Sequence, residues 1–335
     1  MKPPGIISFT RFALAVFALS ITIPAILAQT PPAANTTPGS TDETDAHSTG
    51  TNDKPHPPIP LVELKPDANG MISQAQMQEL FRAVAEKDME NDKRQREYTY
   101  IQRSEEHKLD GKGQVKSTES KTSEVLNIYG EEVERLIARD DKPISEKDAA
   151  KEDKKVQEVI DKRRNESEKD RAKRLAKEEK ERQDGREFVR EVADAYTFHL
   201  VGTETLNGRD AYVIDAEPRP GYEPHRKEAK VLPKIRGRVW IDKQEQQWVK
   251  LDAQVIDTVS FGLFLARLHK GTRIMVETMR VNDEVWLPKH MTAKVDVRVA
   301  LLKNFNVDAD VTYRDYKKFR TGTRIVGVGE VVESH

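Results

Sequence analysis

The chain has 335 residues, no cysteine and a formal net charge of -1, with 56 basic against 57 acidic side chains. These figures exclude a disulfide framework, thiolate metal sites, a Cys nucleophile and a lipid-modified cysteine, and they exclude a global field steering the protein to nucleic acid or acidic membranes. Charged residues still make up 34% of the chain, against about 25% in an ordinary globular domain, so one segment must concentrate them.

Lys2 and Arg11 precede an apolar run from Phe12 to Leu27, broken only by Ser20, Thr22 and Pro24, and Ala28 precedes the polar Gln29. The pattern predicts a secretory signal peptide over residues 1–28, cleaved after Ala28, and therefore an exported, periplasmic protein. A run of sixteen residues containing a proline is short against the roughly 20 needed to cross a bilayer, so no transmembrane span is predicted in the mature protein. Residues 29–70, rich in Pro, Thr, Ser, Asn and Asp, read as a disordered tether, and the folded domain is predicted over 71–335.

Ser73 and Gln76 form an S-x-x-Q capping box ahead of Met77, Leu80, Phe81, Val84, Ala85 and Met89, which share one face of an amphipathic helix fit to cover a sheet. Strands are predicted from Tyr98 to Leu109 and from Val115 to Ile128 across an Asp110-Gly111 turn, with a shorter one from Glu132 to Ala138. Between Glu146 and Asp184, 27 of 39 residues are charged, fourteen basic and thirteen acidic. Good helix formers and a possible cap at Ser145 make this a charged helical insertion, with a narrow apolar stripe of Val156, Val159 and Ile160. So narrow a stripe predicts a solvated arm standing off the domain; interleaved acids argue against nucleic acid.

A short helical stretch around Phe188, Val189 and Val192 leads back to strands. Tyr196–Leu206 and Arg209–Glu217 flank Asn207-Gly208, a strong hairpin signal. Ile235, Gly237, Val239 and Ile241 alternate with Arg236, Arg238 and Trp240, and a strand from Gln247 to Asp257 follows. Val259–Leu268 is mostly apolar, and Phe261, Phe264, Leu265 and Leu268 fall on one side of a helix ending at Gly271. A short lid helix is the expectation, with a buried strand as the alternative. Thr272–Val281 then precedes the cleanest alternation in the chain. Met291, Ala293, Val295, Val297 and Val299 oppose Thr292, Lys294, Asp296 and Arg298, and Phe305, Val307, Ala309, Val311 and Tyr313 continue the apolar side. About ten strands joined in sequence order, with no βαβ rhythm, give the predicted fold class. It is mainly β, a strongly curved antiparallel half-open β-barrel covered by an N-terminal helix and a lid helix.

Catalytic motifs are not evident. There is no G-x-S-x-G, H-E-x-x-H or P-loop, the eight histidines lack i,i+4 pairing, and neither catalytic nor metal residues nor a cofactor are predicted. A wide one-sided apolar sheet with few covers suggests instead an apolar cavity, for which Met-rich lining would suit a flexible acyl chain. Candidate lining residues are Phe81, Val84, Trp240, Trp248, Phe261, Phe264, Leu265, Leu268, Met275, Trp286 and Met291.

Gly208-Arg209-Asp210-Ala211-Tyr212-Val213-Ile214 leading to Pro218, and Arg238-Val239-Trp240-Ile241-Asp242-Lys243 with Trp248-Val249-Lys250-Leu251-Asp252, resemble the periplasmic lipoprotein-carrier superfamily of LolA/LolB-like proteins, including RseB-like regulators. The resemblance covers about residues 73–320 without the charged insertion. It implies a half-open barrel closed by helices around a cavity for acyl chains, and it transfers no functional residue. The function expected is a carrier, not an enzyme, shielding a lipid or lipoprotein acyl chain, in the manner of outer-membrane lipoprotein sorting. The alternative is a regulatory or scaffolding module docking an envelope protein partner through the charged arm.

Overall fold

A computed structural model describes residues 61–261, 266–299, 303–318, 324–325 and 331–332. The predicted signal peptide with its Ala28 cleavage site, residues 29–60 of the tether, and Phe264 and Leu265 lie outside the described residues. β1 (Met71–Ile72) leads into α1 (Gln74–Gln95), followed by β2 (Tyr98–Leu109), β3 (Val115–Ile128), β4 (Glu131–Arg139) and β5 (Lys142–Pro143). Two helices come next, α2 (Glu146–Arg164) and α3 (Glu168–Ala195), then β6 (Tyr196–Leu206), β7 (Arg209–Pro218) and a 3₁₀ turn at Glu228–Lys234. β8 (Ile235–Asp242), β9 (Trp248–Val255), β10 (Val259–Phe261), β11 (Ala266–Leu268), β12 (Arg273–Val281), β13 (Val285–Val299) and β14 (Lys303–Lys318) complete the domain, and β15 (Arg324–Ile325) pairs with β16 (Val331–Val332).

Fourteen strands form one antiparallel sheet in the order β1-β6-β7-β8-β9-β12-β13-β14-β2-β3-β4-β5, with β11 on β13 and β10 on β11. The two ends of that path do not pair, so the curved sheet stays an open barrel. Ten of these strands have eight or more residues and match the predicted ones; the other four, β1, β5, β10 and β11, have two or three. Val259–Leu268 is where the prediction fails. The expected lid helix is instead the hairpin β10–β11, in which Val259 pairs with Leu268, and Leu268 pairs with Val297 of β13. An apolar run this short satisfies its backbone equally well in a ladder, and the neighbouring edge of β13 supplies one.

The register gives the sheet two distinct faces. Val239, Leu251, Val276, Met291, Val311, Ser104 and Lys121 stand directly opposite one another across seven strands. Directly paired residues share a face, so this row defines the inner one. The next row, Trp240, Lys250, Glu277, His290, Thr312, Arg103 and Thr122, lies on the outer face. The inner row is apolar over five strands and polar over the last two.

α1 and α3 cover the apolar part. Ser73 Oγ accepts from Gln76 N at 3.3 Å, capping α1 as predicted, while Gln76 Oε1 accepts from Lys65 N at 3.2 Å and so ties down the preceding segment. Leu64 is buried there, and Gln246 Nε2 donates to the Val62 carbonyl at 2.8 Å, so packed chain begins ahead of β1. The far end of α1 is held by polar contacts. The buried Asn91 amide donates to the Trp286 carbonyl at 2.8 Å and accepts from the Trp286 N–H at 2.7 Å, and Gln95 Nε2 donates to the same carbonyl at 2.7 Å.

The charged insertion does not stand off the domain, contrary to the expectation from its narrow stripe. Val156 is buried on the outer face of β3 and β4 against Ile128 and Val133, with Val159, Ile160 and Leu126 packed around it. Arg135 joins Glu124 at 2.6 Å to Asp153 at 3.1 Å, and Arg163 reaches Glu131 as well as Glu166. Three apolar side chains suffice for docking because ion pairs neutralise the charge around them. α3 begins in the charged segment and runs without a break into Phe188, Val189 and Val192.

Candidate functional site

Between the inner face, α1, α3 and the 3₁₀ turn lies a cavity of about 140 Å³. Its walls are Phe81 of α1, Phe188, Val189 and Val192 of α3, Val231 and Leu232 of the 3₁₀ turn, and a sheet floor that includes Phe198, Ala216, Val239, Trp248, Leu251, Ala253 and Ile274. The void follows from residue size. Ala216, Gly237 and Ala253 line it and bring little bulk into it. A Cβ at Gly237 would come within 3.2 Å of the Asp252 carbonyl oxygen, so a larger residue there would press on the neighbouring strand. Around the void the packing is close: Phe81 meets the Phe198 ring edge-on with centroids 5.4 Å apart and lies 5.4 Å from Trp248.

Polar groups at the wall are turned away from the void and satisfied. Tyr196 OH donates to the Leu232 carbonyl at 2.9 Å, holding the 3₁₀ turn on the sheet, and burial pushes its hydroxyl pKa well up. The loop before that turn is latched to α3. Glu191 is 6% exposed and accepts from Tyr222 OH and from His225 N, both at 2.7 Å, while Arg226 pairs with Asp184 at 2.9 Å and with Glu187.

Of the eleven candidates, the structure brings Phe81 and Trp248 to the cavity wall, with Val84 fully buried in the same core. Met291 is partly buried beside Ile274 and Val276 on the inner face, next to the cavity. Leu268 packs with Val231, Val255, Val259 and Val297 at the edge of the 3₁₀ turn. Trp240 and Trp286 lie on the outer face, in a second apolar cluster with Ala211, Val213 and Val249. Their indole N–H groups donate to Glu204 at 2.6 Å and Glu245 at 2.7 Å, and Lys250 and Arg209 lie over their rings at 5.0 and 5.5 Å. Met275 pairs with Asp252 and Thr292, so it too faces outward. Phe261 is in β10; Phe264 and Leu265 lie outside the described residues.

Trp248 reaches the inner face because of a bulge. Ile241 pairs with Trp248 and Trp240 with Lys250, leaving Val249 as the extra residue, so Trp248 faces the same way as Leu251 and Ala253. One inserted residue reverses the strand's parity. Sequence reasoning missed Phe188, Val189 and Val192 as lining, although their spacing was visible, because the helix carrying them begins in the charged segment. It missed Val231 and Leu232 because no periodicity marks a 3₁₀ turn.

Among the described residues no group of His, Cys, Asp and Glu could hold a metal ion, and no helix is long and apolar enough to cross a membrane. No family model matches the chain. Among curated proteins none matches. Solved structures do. The chain is similar to an outer-membrane lipoprotein-sorting protein domain from Vibrio parahaemolyticus, at 14% identity and a TM-score of 0.29 over 71% of this chain and 93% of that one. It is similar to a LolA-superfamily protein from Nitrosomonas europaea, at 9% identity and a TM-score of 0.29 over 72% and 94% of the two chains. A DUF1329-family protein from Desulfovibrio piger matches at 11% identity and a TM-score of 0.26 over 71% and 91%.

Proposed function

We propose that the protein is an exported, periplasmic carrier that shields a lipid or lipoprotein acyl chain in the inner-face cavity and performs no covalent chemistry on it. The observation that carries this reading is the carbon-lined void of about 140 Å³ between the sheet floor and the helices. Its volume is close to that of an apolar cavity able to take a guest the size of benzene, about 150 Å³. The space therefore fits a short stretch of hydrocarbon, and a longer chain requires the α3 and 3₁₀ wall to move outward. That wall is held by the Glu191 and Arg226 latches, whereas the far end of α1 is anchored separately, through Asn91 on Trp286. Transfer would then be ligand exchange through wall opening. Arg163 and Arg174 of the charged arm are engaged by the chain's own Glu131, Glu166 and Glu178, which leaves the arm less suited to partner docking.

The test is uptake of a fluorescent fatty acid, together with native mass spectrometry of the purified protein for co-purifying lipid. Ala253→Leu and Ala216→Leu should fill the void, abolish uptake and leave cooperative thermal unfolding intact. No lipid and no uptake by the wild-type protein would end the reading, as would full uptake by both variants.

A further inference from the structure

Away from the cavity, the outer face of β8, β9, β12, β13 and β11 gathers cations. Arg236 stands opposite Gln254, Gln254 opposite Arg273, and Arg273 opposite Lys294, in one row across four strands. Further along β13 on the same face, Arg298 stands opposite Arg267 of β11. Neighbouring strands lie about 4.8 Å apart and successive residues rise about 3.4 Å, so the five cations spring from a patch about 14 Å on each side. Arg236, Arg273, Lys294 and Arg298 are exposed, and Arg267 is half-buried.

Like charges oppose one another directly here, Arg267 to Arg298 and Arg273 to Lys294, and such cross-strand pairs are destabilising. Acids to offset them are few. Arg273 pairs with Asp252, but Arg236 has only the neutral Gln254 amide oxygen, at 2.9 Å. Lys294 and Arg267 make no hydrogen bond or ion pair through their side chains among the described residues, although Asp308 stands opposite Lys294 on β14. Asp252 and Asp296 are the carboxylates within the patch and Asp308 borders it, so cations prevail in a chain whose net charge is -1. The excess is local, and its pull extends over about a Debye length, ~8 Å at physiological ionic strength. A patch of this breadth suits an array of negative charges, and the adjoining sequence selects which array. Ala266 pairs with Val299, and the residues before the one and after the other are Gly262-Leu263-Phe264-Leu265 and Ala300-Leu301-Leu302, without a polar side chain. Cations beside apolar sequence match the headgroup and acyl layers of an anionic bilayer, whereas a soluble polyanion gains nothing from the apolar part.

We infer that Arg236, Arg273, Lys294, Arg298 and Arg267 form a docking surface for an anionic lipid membrane, on the face of the sheet turned away from the cavity. The surface comprises these cations alone and does not depend on what the cavity holds.

The test is cosedimentation of the full chain with vesicles of phosphatidylcholine, alone or mixed with an equal part of phosphatidylglycerol. Retention should require phosphatidylglycerol and should fall as salt rises from about 0.1 M to about 1 M, where the Debye length shrinks to about 3 Å. A cation close to an anionic bilayer contributes a factor of about five in affinity, so Arg267→Gln combined with Lys294→Gln should weaken binding about 25-fold. Each of these two residues opposes a like charge, so the double variant should unfold on heating no earlier than wild type. Arg236→Gln, on a strand apart from both pairs, should by itself cost about fivefold. Lys169→Gln combined with Lys173→Gln removes the same charge from exposed positions on α3 and should leave vesicle binding unchanged. Fatty-acid uptake should be the same in all of these variants. No retention, equal retention on phosphatidylcholine alone, indifference to the patch substitutions, or an equal loss in the α3 variant overturns the inference. Release from the vesicles by polyglutamate at matched charge would assign the face to an acidic protein and overturn the membrane reading.

Discussion

The two halves of the sheet solve the burial problem in opposite ways. From β6 to β12 the inner face is apolar and lies under α1 and α3, while the outer face carries paired charges such as Lys250 with Glu277 at 3.0 Å. From β2 to β4 the apolar residues change sides. Leu126, Ile128 and Val133 face outward under α2, and the inner face holds Ser104, Lys121, Glu132 and Glu134. One continuous ladder thus has helix-covered cores on opposite faces, beside the tryptophan cluster on the outer face of the first half, and polar inner surface is left where the first core stops. Burial of about 25 cal/mol per Å² of apolar area makes each helix a local solution, so a sheet of this length needs no single core.

The contrast can be broken most forcefully from the first half. Phe81→Ala removes a ring wedged between Phe198 and Trp248, and should cost about 3–5 kcal/mol in urea unfolding. Asn91→Ala strips the Trp286 backbone of its amide partner in a buried place, at about 1–3 kcal/mol, and should raise hydrogen exchange at the C-terminal end of α1 before its middle. Val156→Ala tests the second core. Losing two buried methyl-sized groups should cost about 1.5 kcal/mol and raise exchange in α2 and β4 while α1 keeps its protection. If all amides lost protection together, the two cores would be one cooperative unit.

The smallest effect is a matter of sign. Burial holds the Glu134 carboxyl above its ordinary value of 4.5, so the folded state binds this proton more tightly than the unfolded chain does. Its contribution is complete below pH 4.5 and is lost as pH rises through the folded value. Glu134→Gln should therefore equal wild type in acid and exceed it in stability at neutral pH. Denaturant midpoints measured at both pH values would show the crossover, and a variant less stable at neutral pH would mean that the carboxylate has a partner.

Most of the sheet was legible because alternation and turn chemistry are local. Asn207 at φ 51 and Gly208 at φ 78 adopt the positive angles that an Asn-Gly hairpin turn uses. Alternation of Val239 and Ile241 around Trp240 already put that tryptophan opposite the core, so its inclusion among the lining residues went against a pattern visible in the chain. Features set by one extra residue were not legible. The bulge at Val249 brings Trp248 inward, and that at Asp315 does the same for Tyr316; in each case parity depends on how a neighbouring strand is met. The cavity was legible only as an excess of apolar surface, since nothing local marks small residues such as Ala216, Gly237 and Ala253 as its lining.

α3 spans 28 residues, about 42 Å at 1.5 Å per residue. Its first half is solvated and its second half is a wall of the void. A rod of that length joins water at one end to the apolar void at the other. Lys173 and Lys177 on the watery half and Phe188 and Val192 on the wall of the void thus belong to one continuous helix.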